Sequence, residues 1–253
     1  MSYFGSTEFL LEVAKGKVAG HSLLEKFGAN FQVDIGTTPE SIWNGGGIYT
    51  GFSAVAAQKI DVTSTSGADD IGGVGALTVR LEGLDANYAP ITEDVILTGA
   101  AIAQTNLTYL RCDRAYILTV GTTGWNVGDI EGSQTSSGFK MFDMPATRNQ
   151  THISPWTVKA GHTAYPVGGM CTLNDAQDTS AQMDIFVREF GTVFRSKYPF
   201  GVYRGGGPVY IQTLPHLAIP EKSDIDVRCV GTGSNGTQIT MVIDYLIVDN
   251  NYL

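Results

Sequence analysis

The residues whose types could support catalysis or metal binding are scattered along this chain. It has four histidines, and only His152 and His162 are near each other, on either side of a predicted turn. A protein zinc site ordinarily takes four ligands, and no carboxylate or cysteine is spaced to complete one with this pair. We therefore predict structural or surface roles for the histidines, and no metal site.

Motifs for nucleophilic catalysis and phosphate binding are also missing. The sequence has no G-x-S-x-G motif, and no serine or cysteine in a recognisable triad context. Glycine runs at residues 45–47 and 205–207 have the composition of phosphate loops. A strand-like segment follows each run, whereas phosphate binding needs a helix N-terminus there. The sequence therefore predicts neither an enzyme nor a cofactor-binding protein.

Paired acidic residues are the remaining candidates for chemistry. Asp69 and Asp70 lie in a loop rich in Gly and Ser, where clustered oxygens could hold calcium. Their spacing fits no known calcium loop, so we predict solvated turn acids. Asp224 and Asp226 share one face of a predicted strand beside Lys222, which predicts a polar outward face on the last hairpin rather than a catalytic dyad.

Composition and charge exclude several classes of protein. The 253 residues include 16 Lys and Arg against 25 Asp and Glu, a net charge of −9, with no basic cluster, so we expect no direct contact with nucleic acid. No apolar run approaches the ~20 residues of a membrane span, and Glu8 and Glu12 do not fit a signal peptide. Cys112, Cys171 and Cys229 are far apart, which predicts single buried thiols. We expect a soluble protein made in the cytoplasm.

The N-terminal region, residues 1–47, is predicted to combine one short helix with an extended arm. The helix spans residues 6–15, with Ser6 or Thr7 as its cap and Gly16 at its end. Residues 20–47 carry large apolar side chains without a sustained period, which predicts an arm packed along its own domain or along a neighbouring subunit. The predicted contacts with a subunit or a shell are Phe9, Leu10, Leu23, Leu24, Phe27, Phe31, Ile42 and Trp43.

From Ile48 onward the sequence predicts β-strands. The stretch from Leu77 to Leu97 alternates apolar and polar residues on both sides of a break at Gly83 to Pro90, as two half-buried strands joined by a turn would. Similar segments recur to residue 249 without alternating helices. We predict an all-β fold, a β-sandwich or jelly roll over residues 48–253, and we place any subdivision near residues 132–138.

An internal correspondence links residues 79–92 to residues 227–240, which share a strand–turn–strand pattern. One explanation is that hairpins generally select Gly and Asn in their turns. The other is that the chain contains two related halves or two equivalent hairpins.

A group of aromatic residues forms a candidate exposed loop. It consists of Tyr198, Phe200, Tyr203 and Tyr210. Exposed aromatic rings on a β-sandwich can bind sugars. We favour the alternative that these rings pack onto the sandwich or onto a neighbouring protomer.

Several segments of the chain resemble virion structural proteins of tailed bacteriophages. The similar segments are KFGANFQVD and ESIWNGGG in the arm, SGADDIGGVGALTVRLEGLD and TEDVILTG in the first hairpin, and AIPEKSDIDVRCVGTGSNGT with VIDYLIVD as a C-terminal hairpin. The resemblance is strongest from residue 21 to residue 132.

The resemblance implies a non-enzymatic component of the virion, without catalytic residues or cofactors. Capsid decoration (cement) proteins of this kind are often β-sandwich trimers that sit on the shell and bridge capsomers. The implied partners are the major capsid protein or other virion proteins, together with further copies of this chain, a trimer being favoured. The implied location is the virion, assembled in the host cytoplasm.

Two alternatives stay open. The chain could belong to the neck, the tail or a head fibre of the same particle. It could also be a carbohydrate-binding β module that contacts the host surface, for which the Tyr and Phe group is the sole support.

Overall fold

The computed structural model describes residues 6–34, 36, 38–174, 179–212 and 216–253. A helix, α1 (Ser6–Ala14), comes first, as predicted, although the cap side chains of Ser6 and Thr7 lie outside the described residues. Short 3-10 helices span Thr50–Ser53 and Asn250–Tyr252. The strands are β1 His21–Val33, β2 Glu40–Ser41, β3 Ile60–Ser64, β4 Ala76–Leu84, β5 Pro90–Ile96, β6 Ala103–Gln104, β7 Arg111–Val120, β8 Ile130–Gln134, β9 Lys140–Met144, β10 Trp156–Thr157, β11 His162–Asn174, β12 Ser180–Arg188, β13 Arg195–Tyr203, β14 Val209–Ile211, β15 Asp224–Thr232 and β16 Thr237–Asp249.

The strands form four antiparallel sheets. The first sheet has the order β1-β16-β11-β14, and the second has β10-β15-β12-β13 with β2 paired to β15. The third has the order β6-β3-β8-β9, and the fourth β5-β4-β7. The predicted all-β class is confirmed. The predicted jelly roll is wrong, because a jelly roll gathers eight strands into two sheets. This chain forms four small sheets, and their arrangement is propeller-like.

The sheets enclose their apolar side chains in pairs. The first and second sheets share one cluster, the first core, which includes Met183, Ile185 and Ile243. The third and fourth sheets share the second core, which includes Val79 and Phe142. Each strand of these sheets turns alternate side chains toward its core, the arrangement that buries the apolar half of each alternating segment.

The chain first contributes one strand to the first core, then builds the second core, and then returns to complete the first core. β1 belongs to the first core, β3 to β9 build the second, and β10 to β16 complete the first. Residues 132–138, where we placed any subdivision, lie in the β8–β9 hairpin within the third sheet. The change from the second core to the first falls between β9 and β10 instead.

Strand β1 takes up nearly half of the predicted arm at residues 20–47. It pairs with β16 from His21 opposite Val248 to Val33 opposite Thr237, with one bulge, so it is an edge strand of the first sheet and not a free arm. The apolar pattern of β1 is irregular because its faces meet different surroundings. The inward face meets polar surroundings at one position, where the buried Lys26 lies.

The hairpin predicted from Leu77 to Leu97 is present as β4 and β5. Gly83 does not end the strand as we predicted, but lies inside β4. A Cβ atom there would be 2.1 Å from the carbonyl oxygen of Arg111, so glycine permits the close approach of β7. The prediction of a C-terminal hairpin is wrong, since β15 pairs within the second sheet and β16 pairs within the first. The two segments 148 residues apart are therefore not equivalent hairpins.

Candidate functional site

Six of the eight residues predicted to contact a subunit or a shell are at least partly accessible. Leu23 is 40% exposed, Phe27 packs edge-to-face on His152 at 5.6 Å, and the guanidinium of Arg148 lies 5.5 Å from the ring centre of Phe31. The six residues are Phe9, Leu10, Leu23, Leu24, Phe27 and Phe31.

The other two predicted contact residues, Ile42 and Trp43, are buried inside the chain. Ile42 belongs to the first core, and Trp43 lies in a small cluster between the cores with Tyr49, Phe52 and Ile153. Assigning them to an outer surface was therefore wrong. The apolar composition of residues 20–47 reflects intrachain packing at these two positions.

The predicted exposed aromatic loop divides into two pairs. Tyr198 and Phe200 lie on β13 and pack against the first core, on the same strand face as the buried Val202. Tyr203 is 63% exposed and Tyr210, on β14, is 70% exposed. The alternation of a β-strand explains the first pair, and only the second pair is available to a ligand.

A buried ionic network joins the two cores. Asp224, at the start of β15, accepts hydrogen bonds from Nε of Arg111 at 2.9 Å and from Nε of Arg188 at 2.9 Å. Arg111 comes from β7 of the fourth sheet, and the hydroxyl of Thr157 also donates to Asp224. Asp224 and Arg111 are 3% and 4% exposed. Our prediction that Asp224 faces outward was wrong.

Aromatic rings separate the arginines of this junction. The guanidinium of Arg188 lies 5.9 Å from the ring centre of Phe52 and 4.8 Å from that of Phe194. The guanidinium of Arg228 lies 4.5 Å from the centre of the same Phe194 ring, which therefore contacts both arginines. Cation–π contacts of this kind hold the arginines in place while their polar edges reach the carboxylates.

Asp226 is the second buried carboxylate of β15. It accepts hydrogen bonds from Nε of Arg228 at 2.7 Å and from the hydroxyl of Ser41 at 2.9 Å. Burial raises the pKa of Asp226 to about 6, and the bonds from Arg228 and Ser41 oppose that rise. The outward face predicted for this strand is therefore an inner face, and Asp226 ties β15 to β2.

A cleft of about 370 Å³ runs between β1, the fourth sheet and β10. Lys26 donates from Nζ to the carbonyl oxygen of Asp113 at 2.6 Å. Burial lowers the pKa of Lys26 to about 8 and raises the pKa of Asp113 to about 6. The rest of the lining is mixed, with the apolar Leu24 and Ile91 beside charged residues such as Glu82 and Arg114. The lysine and the aspartate fasten β1 to β7 there.

Asp69 anchors the loops at one end of the second core. Its carboxylate accepts backbone N–H bonds from Ala76, Val127 and Gly128, each at 2.8 Å, and a hydroxyl bond from Ser64 at 2.6 Å. It is fully buried, so the prediction of a solvated turn acid was wrong for Asp69. Its four bonds saturate the carboxylate and join the loop at residues 66–75 to the loop at residues 120–128.

These anchored loops present a group of exposed apolar side chains, which we call the loop patch. The amide of Ile71 donates to the carbonyl of Leu97, beside Ile96, and the amide of Thr123 donates to the carbonyl of Val74. Exposed fractions in the patch range from 38% to 57%. The members of the loop patch are Ile71, Val74, Ile96, Trp125 and Val127.

The remaining candidates for chemistry do not come together. Within the described ranges, no group of three or more His, Cys, Asp and Glu side chains could hold a metal ion. His152 packs on Phe27, and His162 lies 2.9 Å from the carbonyl of Ala160. The three cysteines are free and buried as predicted, and burial raises their thiol pKa values, which keeps them protonated. No helix among the described residues is long and apolar enough to cross a membrane.

Sequence reasoning missed Arg111, Arg188 and the role of Asp224. Arg111 and Asp224 are far apart in the chain, and neither belongs to a recognisable motif. The one available signal was the position of Arg111 in the apolar run TYLRC, because an arginine at an inward strand position needs a buried partner.

No protein-family model matches the chain, and no curated protein matches it. Two solved structures with weak similarity come from virus particles. The structure of infectious bursal disease virus Gx strain is 12% identical, with 90% of this chain and 72% of that chain covered and a TM-score of 0.28. The VP2 subviral particle of infectious bursal disease virus is 10% identical, with 92% and 73% covered and a TM-score of 0.25. Scores this low do not establish a common fold.

Proposed function

We propose that this chain is a non-enzymatic structural component of a tailed-phage virion, where it acts as a capsid decoration (cement) protein that binds and stabilises the shell. The observation that carries the proposal is the fastening of the two cores by Arg111, Asp224 and Arg188. A cement protein must hold neighbouring capsomers at a fixed spacing. Hydrogen-bonded ion pairs in apolar surroundings resist bending of one half against the other. The sequence resemblance to virion proteins supports the same role.

The loop patch is the surface that we assign to the shell. Exposed apolar groups of this kind are typical of protein–protein contacts. The carboxylate of Asp69 holds both loops in place before binding, so little conformational entropy is lost when a partner docks. The partner would be the major capsid protein or another virion protein, and further copies of the chain would form a trimer.

The test uses shells assembled without this chain, to which the purified protein is added. We expect saturable co-sedimentation with the shells and a higher temperature of shell disruption. Trp125→Asp should abolish binding because it places a charge in the loop patch, while Tyr210→Asp, the same change at a more exposed aromatic residue elsewhere, should bind normally. Protein that stays in the supernatant, or equal binding by both variants, would contradict the proposal.

The number of copies per virion distinguishes the shell from the neck, tail or head fibre. A decoration protein is present in numbers that match the repeating units of the shell, whereas a neck or tail component forms one small ring. Quantitative mass spectrometry of purified virions measures this ratio. A copy number that corresponds to one small ring per particle would assign the protein to the neck or tail.

A role for the N-terminal helix in attachment remains a prediction. Because β1 pairs with β16, a test of the helix must leave β1 in place. Removing residues 1–47 would remove the thirteen-residue strand β1 and its pairing with β16, so the protein would lose part of its first sheet. Removing residues 1–19 takes away α1, with Phe9 and Leu10, and leaves β1 intact. Normal attachment and trimer formation by the shorter protein would exclude a role for the helix.

The exposed Tyr203 and Tyr210 favour the carbohydrate-binding alternative. Screening the protein against immobilised glycans, with Tyr203→Ala as the comparison, tests it. Tight binding that depends on Tyr203 would replace the decoration proposal.

A further inference from the structure

A surface cavity of about 320 Å³ lies over the ionic junction between the two cores. Five separate parts of the chain form it: the end of the first 3-10 helix with the segment after it, the β4–β5 turn, the start of β7, the β12–β13 turn and the segment leading into β15. We call this cavity the junction socket. Its defining residues are Val55, Tyr88, Arg188, Phe190 and Lys222.

The junction socket carries an excess of positive charge in a chain whose net charge is −9. Its charged residues are three cations and two carboxylates, namely Arg111, Arg188, Lys222, Asp224 and Glu189. Asp224 already binds both arginines, and Glu189 lies 3.5 Å from Lys197. The carboxylates within the socket are therefore occupied, whereas its cations are not all neutralised.

Lys222 is the cation without a carboxylate partner. Its ammonium lies 5.9 Å from the ring centre of Tyr88 and 5.5 Å from that of Phe190, and no carboxylate of the described residues lies within ion-pair distance. Nη1 of Arg188 likewise donates to no protein group in the described part of the chain, while its Nε and Nη2 are bonded. Both groups can accept an anion without breaking an existing bond.

The backbone at the socket is held in an uncommon conformation. Tyr88 has a φ of 63° and Lys222 a φ of 61°, in the left-handed region that non-glycine residues rarely adopt. The amide of Ala160 donates to the carbonyl of Tyr88, and the amide of Lys222 donates to Val158. These bonds hold the backbone of both residues in place, and the ammonium of Lys222 lies 5.9 Å from the centre of the Tyr88 ring. Such strain is found where a side chain must be presented in one position.

Two apolar side chains form the rim around these cations. Val55 is 97% exposed and Phe190 is 63% exposed. An arginine together with aromatic rings and apolar groups, here Arg188 with Tyr88 and Phe190, is the usual composition of the energetic centre of a protein interface.

We infer that the junction socket binds an acidic side chain, Asp or Glu, on an apolar-flanked segment of a partner protein. The carboxylate would lie between Lys222 and Arg188, and the flanking apolar residues would contact Val55 and Phe190. The charge complementarity selects a carboxylate, and the rim selects a protein segment over a nucleic acid, which the net charge of −9 repels. This inference does not depend on the proposed place in a virion.

The probe is a fluorescent peptide with the sequence acetyl-Leu-Glu-Glu-Leu-amide, compared with the same peptide carrying glutamine in place of glutamate. Titration monitored by fluorescence anisotropy should show binding of the glutamate peptide that weakens as salt is added. Lys222→Asn removes the charge while asparagine tolerates the left-handed backbone, and it should weaken binding about fivefold, as expected for a partly exposed ion pair. Val55→Asp should weaken it further by repulsion.

Matched controls place the same changes outside the socket. Lys59→Asn and Ile102→Asp alter a lysine and an exposed apolar residue that do not line the cavity, and both should bind the peptide normally. The inference is overturned if the wild type does not bind the glutamate peptide, if the two peptides bind equally, or if Lys222→Asn has no effect. Tighter binding of a single-stranded oligonucleotide than of the peptide would also overturn it. Because no shell is involved, these results are separate from the test of the decoration role.

Discussion

Replacing Asp224 with asparagine tests whether the ionic network fastens the two cores. Asp224 accepts two hydrogen bonds from Arg111, two from Arg188 and one from Thr157. Asparagine keeps one acceptor oxygen and turns an NH₂ group toward a guanidinium, so donors would face each other. The positive charge of Arg111, 4% exposed, would then lack its counter-charge.

The size of the effect follows from burial. Removing one partner of a buried ion pair costs about 3–5 kcal/mol. The Arg188 side chain is 27% exposed and can regain some solvation, which places the expected loss near the lower end, about 3 kcal/mol. For a chain of this length each 1 kcal/mol lowers Tm by roughly 2–4 °C, so the expected fall is roughly 6–12 °C.

Asp94→Asn is the matched control for this experiment. Asp94 forms a two-point ion pair with Arg80 on the surface of the fourth sheet, with side chains 42% and 34% exposed. An exposed pair contributes about 0–1 kcal/mol, because water replaces the lost partner. Differential scanning calorimetry and urea denaturation measure both variants. Equal losses for Asp224→Asn and Asp94→Asn would refute the reasoning, whereas a separate low-temperature transition in Asp224→Asn would show that the cores had become uncoupled.

Three further substitutions test the burial of charge and the packing of the strands. The pKa of Asp226 is raised by burial from 3.8 to about 6, so the folded state holds a proton that the unfolded state releases in that window, and stability falls as pH rises through it. Asp226→Asn should remove the part of this slope that is due to Asp226, up to about 1.4 kcal/mol per pH unit, and leave the part due to Asp113, whose pKa burial also raises to about 6; an unchanged difference in urea midpoint between pH 4 and pH 6 would contradict the assignment. The pKa of Lys26 is lowered by burial from 10.5 to about 8, so Lys26 contributes a rise in stability with pH across that interval, against the fall that the raised thiol pKa values contribute above pH 9, and the stability of Lys26→Met relative to the wild type should therefore fall as pH rises from 8 to 10.5. Gly83→Ala should cost about 1–3 kcal/mol because its Cβ would meet a backbone oxygen at 2.1 Å, whereas Gly231→Ala, with no atom within 4 Å, should be nearly neutral in thermal unfolding.

Features that depend on nearest neighbours along the chain could be predicted from the sequence. The hairpin from Leu77 to Leu97 and the strand from Thr237 to Asp249 follow from alternation of apolar and polar residues, because a strand exposes one face and buries the other. The helix ended by Gly16 follows from its cap and its apolar spacing. The buried state of the three cysteines follows from residue type.

Features that depend on which segments meet could not be predicted in this way. β15 and β16 have the spacing and turn residues of a hairpin, yet each finds its partners in a different sheet. β1 looked like an arm because its mixed pattern reflects a polar contact at Lys26 in addition to an apolar core. The aromatic residues of β13 were predicted as one group, and strand alternation places Tyr198 inside and Tyr203 outside.

Local periodicity and residue type therefore specify the secondary structure class, the acidic and weakly charged character of the chain, and most strand positions. The features on which the two proposals rest depend on the tertiary structure. Asp224 is a buried junction rather than a solvated strand face because Arg111, distant in sequence, is brought to it by the packing of the fourth sheet on the second. The junction socket depends on the same packing, since Tyr88 and Lys222 belong to different cores and meet where those cores touch.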